Sequence, residues 1–148
     1  KSIPESVPLF VRISSTEYMD HGWDIEDSVI FAGLLKEHGV DLIDCSSGGN
    51  SPLQKLTPYP GYQVQFAEQI KSGANVLTGA VGLITKPQQA EDILVNNQAD
   101  VILMGREFLR APYWPMYAQQ ELESGADWVH QYTRAKESLP ADSSRPSR

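Results

Sequence analysis

The chain has 148 residues and a formal net charge of −7, from 12 Lys and Arg against 19 Asp and Glu. This acidic balance argues against a nucleic-acid-binding protein, because such proteins normally present a basic face. The sequence contains no run of about 18 apolar residues and no secretory signal, so it predicts neither a membrane span nor export.

Two strand–helix units are predicted in the first part of the chain. Residues 9–13 form a short apolar run typical of a parallel strand that is buried on both faces. Asp24 can cap a helix over residues 25–38, and Gly39 is a good stop for it. Residues 41–45 predict the second strand. One face of this first helix is predicted to carry Val29, Ile30, Gly33 and Leu34.

The long connection after the second strand, residues 46–61, exceeds a structural turn and is a candidate functional loop. The remaining predicted elements are a helix at 64–72, a strand at 75–78, a helix at 87–95 that starts on Pro87, a strand at 101–104 and a helix at 114–124. Strands alternating with helices at this spacing indicate a parallel sheet. Residues 138–148 are rich in Ser, Pro and Arg and predict a disordered tail, which leaves one domain at 1–137.

Glycine-bearing turns, residues 79–82 and 105–107, follow the third and fourth predicted strands. Glycine lets the backbone approach a ligand closely, and free N–H groups at such turns can bind phosphate. In a (β/α)8 barrel the loops after strands 7 and 8 are a common phosphate site. The pattern therefore predicts the second half of such a barrel, strands 5–8 with their helices, holding a phosphorylated cofactor. A complete barrel needs about 250 residues, so a partner or a removed segment is expected to supply the N-terminal half.

Two arginines are candidate ligand-binding residues. Arg12 lies inside the first apolar strand, where it either forms a buried ion pair with Asp41 or Asp44 or points its cation at an electron-rich ligand. Arg106 directly follows Gly105, where it either binds a phosphate or forms a salt bridge with a neighbouring carboxylate, that of Glu107 or Asp100. We favour the ligand-binding interpretation for both.

No catalytic residue is assigned in this half of the barrel. Cys45 is the single cysteine, so an internal disulfide is excluded, and a reducing, cytoplasmic location is expected. It is interpreted as a buried, inert thiol rather than a nucleophile. His21, His38 and His130 lack metal-ligand spacing, so no metal site is predicted.

Five segments together resemble the C-terminal half of the Old Yellow Enzyme family, in the branch of bacterial-type ene-reductases or NADPH dehydrogenases. The similarity covers residues 8–134, and the segments that carry it are residues 8–14, 39–48, 60–64, 78–82 and 105–110.

This resemblance implies an FMN-containing (β/α)8 barrel in which NADPH, or NADH, reduces the flavin and the flavin passes hydride to an α,β-unsaturated carbonyl compound. Arg12 matches the family arginine beside flavin N1 and the C2 carbonyl, and the two phosphate-binding turns correspond to Val81–Gly82 and Gly105–Arg106. Arg134 matches an arginine that reaches into a neighbouring subunit's active site, which implies a homo-oligomer. The family's substrate-binding His pair, its proton-donating Tyr and its flavin-tuning Cys belong to the absent half.

Three hypotheses follow for the chain. It is the FMN-phosphate-binding half of an ene-reductase that acts with an N-terminal half-barrel on a small enone. Alternatively, it is a catalytically inactive, self-associating half-barrel that binds only FMN or phosphate, or it is a truncated product without an independent role. The absence of a proton donor favours inactivity of the isolated chain.

Overall fold

The computed structural model of the chain describes residues 4, 6–123, 125 and 128–135. It contains a parallel sheet whose strands follow one another in chain order, β1-β2-β3-β4. The strands are β1 (Phe10–Ser14), β2 (Leu42–Ser46), β3 (Leu77–Ala80) and β4 (Val101–Ile102). The α-helices are α1 (Ile25–Glu37), α2 (Val64–Ala74), α3 (Pro87–Val95), α4 (Arg106–Arg110) and α5 (Trp114–Glu121), and a 3-10 helix spans His130–Ala135. Four consecutive strand–helix units of this kind form half of a (β/α)8 barrel.

The four parallel strands confirm the predicted order. β1 and β2 lie one residue further along the chain than predicted, and β3 and β4 differ more. β3 is shifted towards the C-terminus, so Gly79 lies inside the strand, paired with Asp44 and Val101, rather than in the turn. A Cβ on Gly79 would lie 2.6 Å from Leu103 Cδ1. This glycine is therefore required by side-chain packing between strands, not by a ligand. β4 ends at Ile102, two residues earlier than predicted.

Local hydrogen bonds explain where α1 begins. Asp27 N–H donates to the Asp24 side chain (3.1 Å) and Asp24 N–H donates to the Asp27 side chain (3.4 Å), a reciprocal capping box. Of the face that was predicted to carry Val29, Ile30, Gly33 and Leu34, Val29 packs against the core while Ile30 is 67% exposed. The buried residues of α1 are the small Ser28 and Ala32. The close neighbour of α1 is α2, where a Cβ on Gly73 would lie 2.6 Å from Val29 Cγ1.

The sheet has two unlike faces. Since side chains alternate along a strand, Ile13, Cys45 and Ala80 face the helices and form the main core with residues such as Ala67 and Ile70. The opposite face carries register rows that would point to a barrel interior. One row is Phe10, Leu42 and Leu77; the next is Arg12, Asp44, Gly79 and Val101.

None of the helices in the described residues is long and apolar enough to cross a membrane. The predicted domain limit at residue 137 and the tail at 138–148 lie outside the described residues.

Candidate functional site

A cavity of about 270 Å³ lies at the carboxyl ends of the four strands. This is the edge at which parallel α/β sheets bind ligands. Its walls come from Arg12 of β1, Ser46 of β2, residues 81–85 after β3 and residues 103–107 after β4, together with Tyr62, Gln63 and Arg110. All five residues predicted to bind a cofactor, Arg12, Val81, Gly82, Gly105 and Arg106, therefore line one cavity.

Arg12 combines the two alternatives that its sequence position left open. Its Nε lies 2.8 Å from Asp44 Oδ2 on the neighbouring strand, while its side chain remains 57% exposed. Asp41 instead accepts a hydrogen bond from the Leu9 N–H (2.7 Å). The ion pair thus holds one side of the guanidinium, and the Nη nitrogens have no partner among the described residues.

The Asp44 carboxylate is only half satisfied by this ion pair. Its Oδ1 is buried and has no hydrogen-bond partner in the described structure. Burial raises the pKa of Asp44 above its ordinary value, and the Arg12 cation opposes part of that effect. Asp44 therefore anchors Arg12 at an energetic cost to the sheet.

Arg106 forms neither of the salt bridges that were the alternative to phosphate binding. Glu107 pairs with Arg110, and Asp100 pairs with Lys71 (3.0 Å). Among the described residues Arg106 has no ion-pair partner, and it is exposed at the cavity wall. The cavity is lined by three arginines and one glutamate, so it is cationic although the whole chain is acidic.

The turn after β3 is shaped to take an anion against its backbone. Gly82 has φ +118°, and a Cβ there would lie 2.9 Å from Gln63 Nε2 and 3.0 Å from Tyr62 Cε1. A side chain is therefore excluded by backbone conformation and by close neighbours. The N–H groups of Gly82 and Leu83 donate to no described residue. Two adjacent free donors in a cationic cavity suit a phosphate.

The segment after β4 forms another wall of this cavity. Gly105 has open space where a Cβ would stand, so the protein itself does not require glycine there. The short helix α4 begins at Arg106 and was not predicted. Trp114 supports this region, because its Nε1 donates to the Thr85 carbonyl (3.0 Å) and its ring contacts Phe108 edge to face.

Sequence reasoning missed a buried polar network behind the β3 turn. Ser47 Oγ donates to Gln63 Oε1 (2.7 Å), and Gln63 Nε2 donates to the Val81 carbonyl (3.1 Å). The Tyr18 hydroxyl lies 2.7 Å from Ser47 Oγ. The one sequence signal was a glutamine at the end of the long loop that follows β2.

Two further residues discussed from the sequence lie apart from the cavity. Cys45 is fully buried in β2, and burial raises its pKa to about 12, so the thiol is neutral near neutral pH. Arg134 is exposed on the 3-10 helix and does not line the cavity. In the described part of the chain, no three His, Cys, Asp or Glu side chains could hold a metal together.

The sequence of the chain is similar to that of known oxidoreductases. The model of the NADH:flavin oxidoreductase / NADH oxidase family matches residues 1–125. An NADPH dehydrogenase from Bacillus pumilus (strain SAFR-032) is 54% identical over 128 residues, which are 86% of this chain and 38% of that protein. The chain thus spans well under half the length of this relative.

The chain is also similar to two solved structures, of which only the first supports the fold. A 2-naphthoyl-CoA reductase in complex with 2-naphthoyl-CoA superposes with a TM-score of 0.61 at 24% identity, over 76% of this chain and 17% of that one. A DHODH from Eimeria tenella in complex with ferulenol has a TM-score of 0.49 at 15% identity, over 77% of this chain and 34% of that one.

Proposed function

We propose that the chain supplies the FMN-phosphate-binding half of an NAD(P)H-dependent ene-reductase. The chain belongs to the NADH:flavin oxidoreductase / NADH oxidase family, which supports this proposal. The other half-barrel would come from a separate chain or segment and would bring the substrate-binding and proton-donating groups. The reaction would be reduction of the C=C bond of a small α,β-unsaturated carbonyl compound. NADPH is the favoured reductant, because the 54% identical relative is an NADPH dehydrogenase.

The observation that carries this proposal is the convergence of Arg12, Arg106 and the free N–H groups of the β3 turn on one cavity. A doubly charged phosphate would be stabilised there by the Arg106 guanidinium and by backbone donors. Arg12 would face the flavin ring, where a fixed cation favours an electron-rich state of the cofactor.

FMN, when bound, would accept hydride from the nicotinamide and pass it to the electron-poor alkene. The residues of this chain would bind and orient the cofactor. Asp44 would fix Arg12 through Nε, leaving the Nη groups free, and Gly82 would let the phosphate reach the backbone. Arg134 would serve a neighbouring subunit, as the family resemblance implies, so an assembly of several copies is part of the proposal.

The test is reconstitution. The chain is co-expressed with the part of the Bacillus pumilus NADPH dehydrogenase outside the matched segment, and the purified complex is examined for flavin absorbance and for NADPH oxidation with 2-cyclohexen-1-one. With oxygen excluded, a yellow complex whose continued NADPH oxidation requires the enone is the expected result. A stable complex that binds no FMN at saturating concentration would refute the proposal.

A second candidate function is a self-associating half-barrel that binds FMN or phosphate without catalysis. The open sheet face favours it, because Phe10 and Leu77 stand there half exposed. Two copies could cover these faces mutually. Under this alternative, the chain alone would form a dimer that binds FMN but does not oxidise NADPH.

A further inference from the structure

A directed chain of hydrogen bonds ends on the turn after β3. Ser47 Oγ donates to Gln63 Oε1 (2.7 Å), which uses the only hydrogen of that hydroxyl. The Tyr18 hydroxyl, 2.7 Å from Ser47 Oγ, must therefore be the donor of its own contact. The amide itself is fixed by the Val81 carbonyl, which can only accept and therefore faces the NH2 group (3.1 Å), so that the amide oxygen faces Ser47.

Two carbonyls of this turn are held from the same short segment. Gln63 Nε2 binds the Val81 carbonyl, and the Gly61 N–H binds the Gly82 carbonyl (2.9 Å). In a trans peptide the C=O and N–H groups point in opposite directions. The N–H groups of Gly82 and Leu83 must therefore point away from the clamping groups. Neither donates to a described residue, and both residues line the cavity.

The geometry points to Gln63 as a positioning residue for a bound phosphate: its amide sets the Val81–Gly82 peptide so that the turn presents its N–H groups to the anion. Gln63 is only 3% exposed, so water does not readily replace its hydrogen bond to Val81. Its Nε2 also lies where a Cβ on Gly82 would meet it, at 2.9 Å. This role rests on the proposed function and assigns the orientation of the turn to one side chain.

The test compares ligands with and without a phosphate. Gln63→Glu keeps the size of the side chain and removes the NH2 group that donates to the Val81 carbonyl. We expect its affinity for FMN to fall about tenfold or more, which is the low end for loss of hydrogen bonds to a charged group. The affinity for inorganic phosphate, measured by its displacement of FMN, should fall in parallel. Affinity for riboflavin, which has the same ring without a phosphate, should stay within the error of the measurement.

The chain offers a matched control two residues further on, in α2. Gln65 is exposed, and its Nε2 donates to the Tyr62 carbonyl (3.2 Å). Gln65→Glu makes the same chemical change outside the cavity and should leave all three affinities unchanged. Ser47→Ala removes only the hydroxyl that orients Gln63 and should reduce FMN affinity by less than Gln63→Glu does. It also tests the role if Gln63→Glu fails to fold.

Two results would overturn the inference while leaving the proposed function intact. One is an equal loss of FMN and riboflavin affinity in Gln63→Glu, which would indicate a merely structural residue. The other is unchanged FMN affinity in both Gln63→Glu and Ser47→Ala. The proposed function would fail in a different way, because the unsubstituted chain would then bind FMN no better than riboflavin.

Discussion

Arg106 is the residue at which the proposed phosphate site can be tested most directly, because its guanidinium has no competing carboxylate among the described residues. Arg106→Ala should weaken FMN or phosphate binding by about 1.5–3 kcal/mol, the range for hydrogen bonds to charged groups. Flavin titration measures the change. Lys55→Ala removes one positive charge from an exposed site outside the cavity and serves as the control. Equal affinities of Arg106→Ala and the parent chain for FMN would show that Arg106 does not bind the phosphate.

Asp44 gives the pH dependence of stability a predictable sign. Burial raises its pKa in the folded state above the ordinary value of 3.8. The folded protein therefore binds this proton more tightly than the unfolded chain does, so the protonated carboxyl favours folding. That contribution is complete below the unfolded pKa and is lost as the pH rises through the raised folded value.

Asp44→Asn should remove this titration. The free energy of unfolding of the variant minus that of the parent should be larger at pH 7 than at pH 4. Urea denaturation at both pH values measures this difference. The same difference at the two pH values would show that Asp44 does not titrate abnormally. Binding of FMN by Asp44→Asn is a separate measurement. It reports whether Arg12 needs the charge of Asp44, because the asparagine retains an oxygen for Arg12 but no charge.

How far the site could be predicted depends on the type of residue. Arg12 and Arg106 were singled out from the sequence because each charge lies inside or shortly after an apolar strand, and both line the cavity. Gly82 was identifiable as part of a turn. Gln63 was not, because its importance comes from Ser47 and Val81, which are 16 and 18 residues away in sequence. The family assignment made from the motifs is confirmed by the family match and by the 54% identical relative.

At the scale of elements, Gly79 in β3 should behave unlike a turn glycine. Gly79→Ala places a Cβ 2.6 Å from Leu103 Cδ1 and 3.2 Å from Val101 Cγ2, so it should destabilise the chain by about 1–3 kcal/mol through overpacking. Gly33→Ala in α1 is the matched control, since its Cβ meets nothing within 4 Å. It should stabilise the helix by about 0.5–1 kcal/mol. Urea denaturation compares both.

A double variant isolates the contact. If the clash with Leu103 is the cause, Gly79→Ala combined with Leu103→Ala should lose less stability than the two single changes predict together. Additive losses would mean that the strand backbone, rather than this side chain, requires glycine.

Elements with strong local signals were predicted well. α3 spans the predicted residues because Pro87 occupies its first position, and α1 begins at the predicted cap because Asp24 accepts from the backbone. β3 was misplaced because Gly79 and Ala80 resemble turn residues, although small side chains are what the strand needs beneath Leu103. The exposed Ile30 of α1 could not be foreseen, because helical periodicity does not show which neighbours are present.

At the scale of the whole molecule, the half-barrel should not persist as a closed monomer. β1 and β4 end the sheet on either side, and Phe10, Ile30 and Leu77 are each more than half exposed. Open edges and apolar surface favour association. Light scattering at low micromolar concentration should report a dimer, a complex with an added N-terminal half, or aggregates. A monomer with native-like near-UV circular dichroism would contradict this expectation.

The rate at which Cys45 reacts with a thiol reagent reports how often the sheet opens. Cys45 is the single cysteine, it is 0% exposed between Ile13 and Ala80, and its thiol is protonated near pH 8. A disulfide reagent can therefore react only in molecules whose central strands have separated. Labelling should be slow without denaturant and should accelerate with urea. The ratio of the labelling rates with and without the second half-barrel would give the free energy that closing the barrel adds to the sheet.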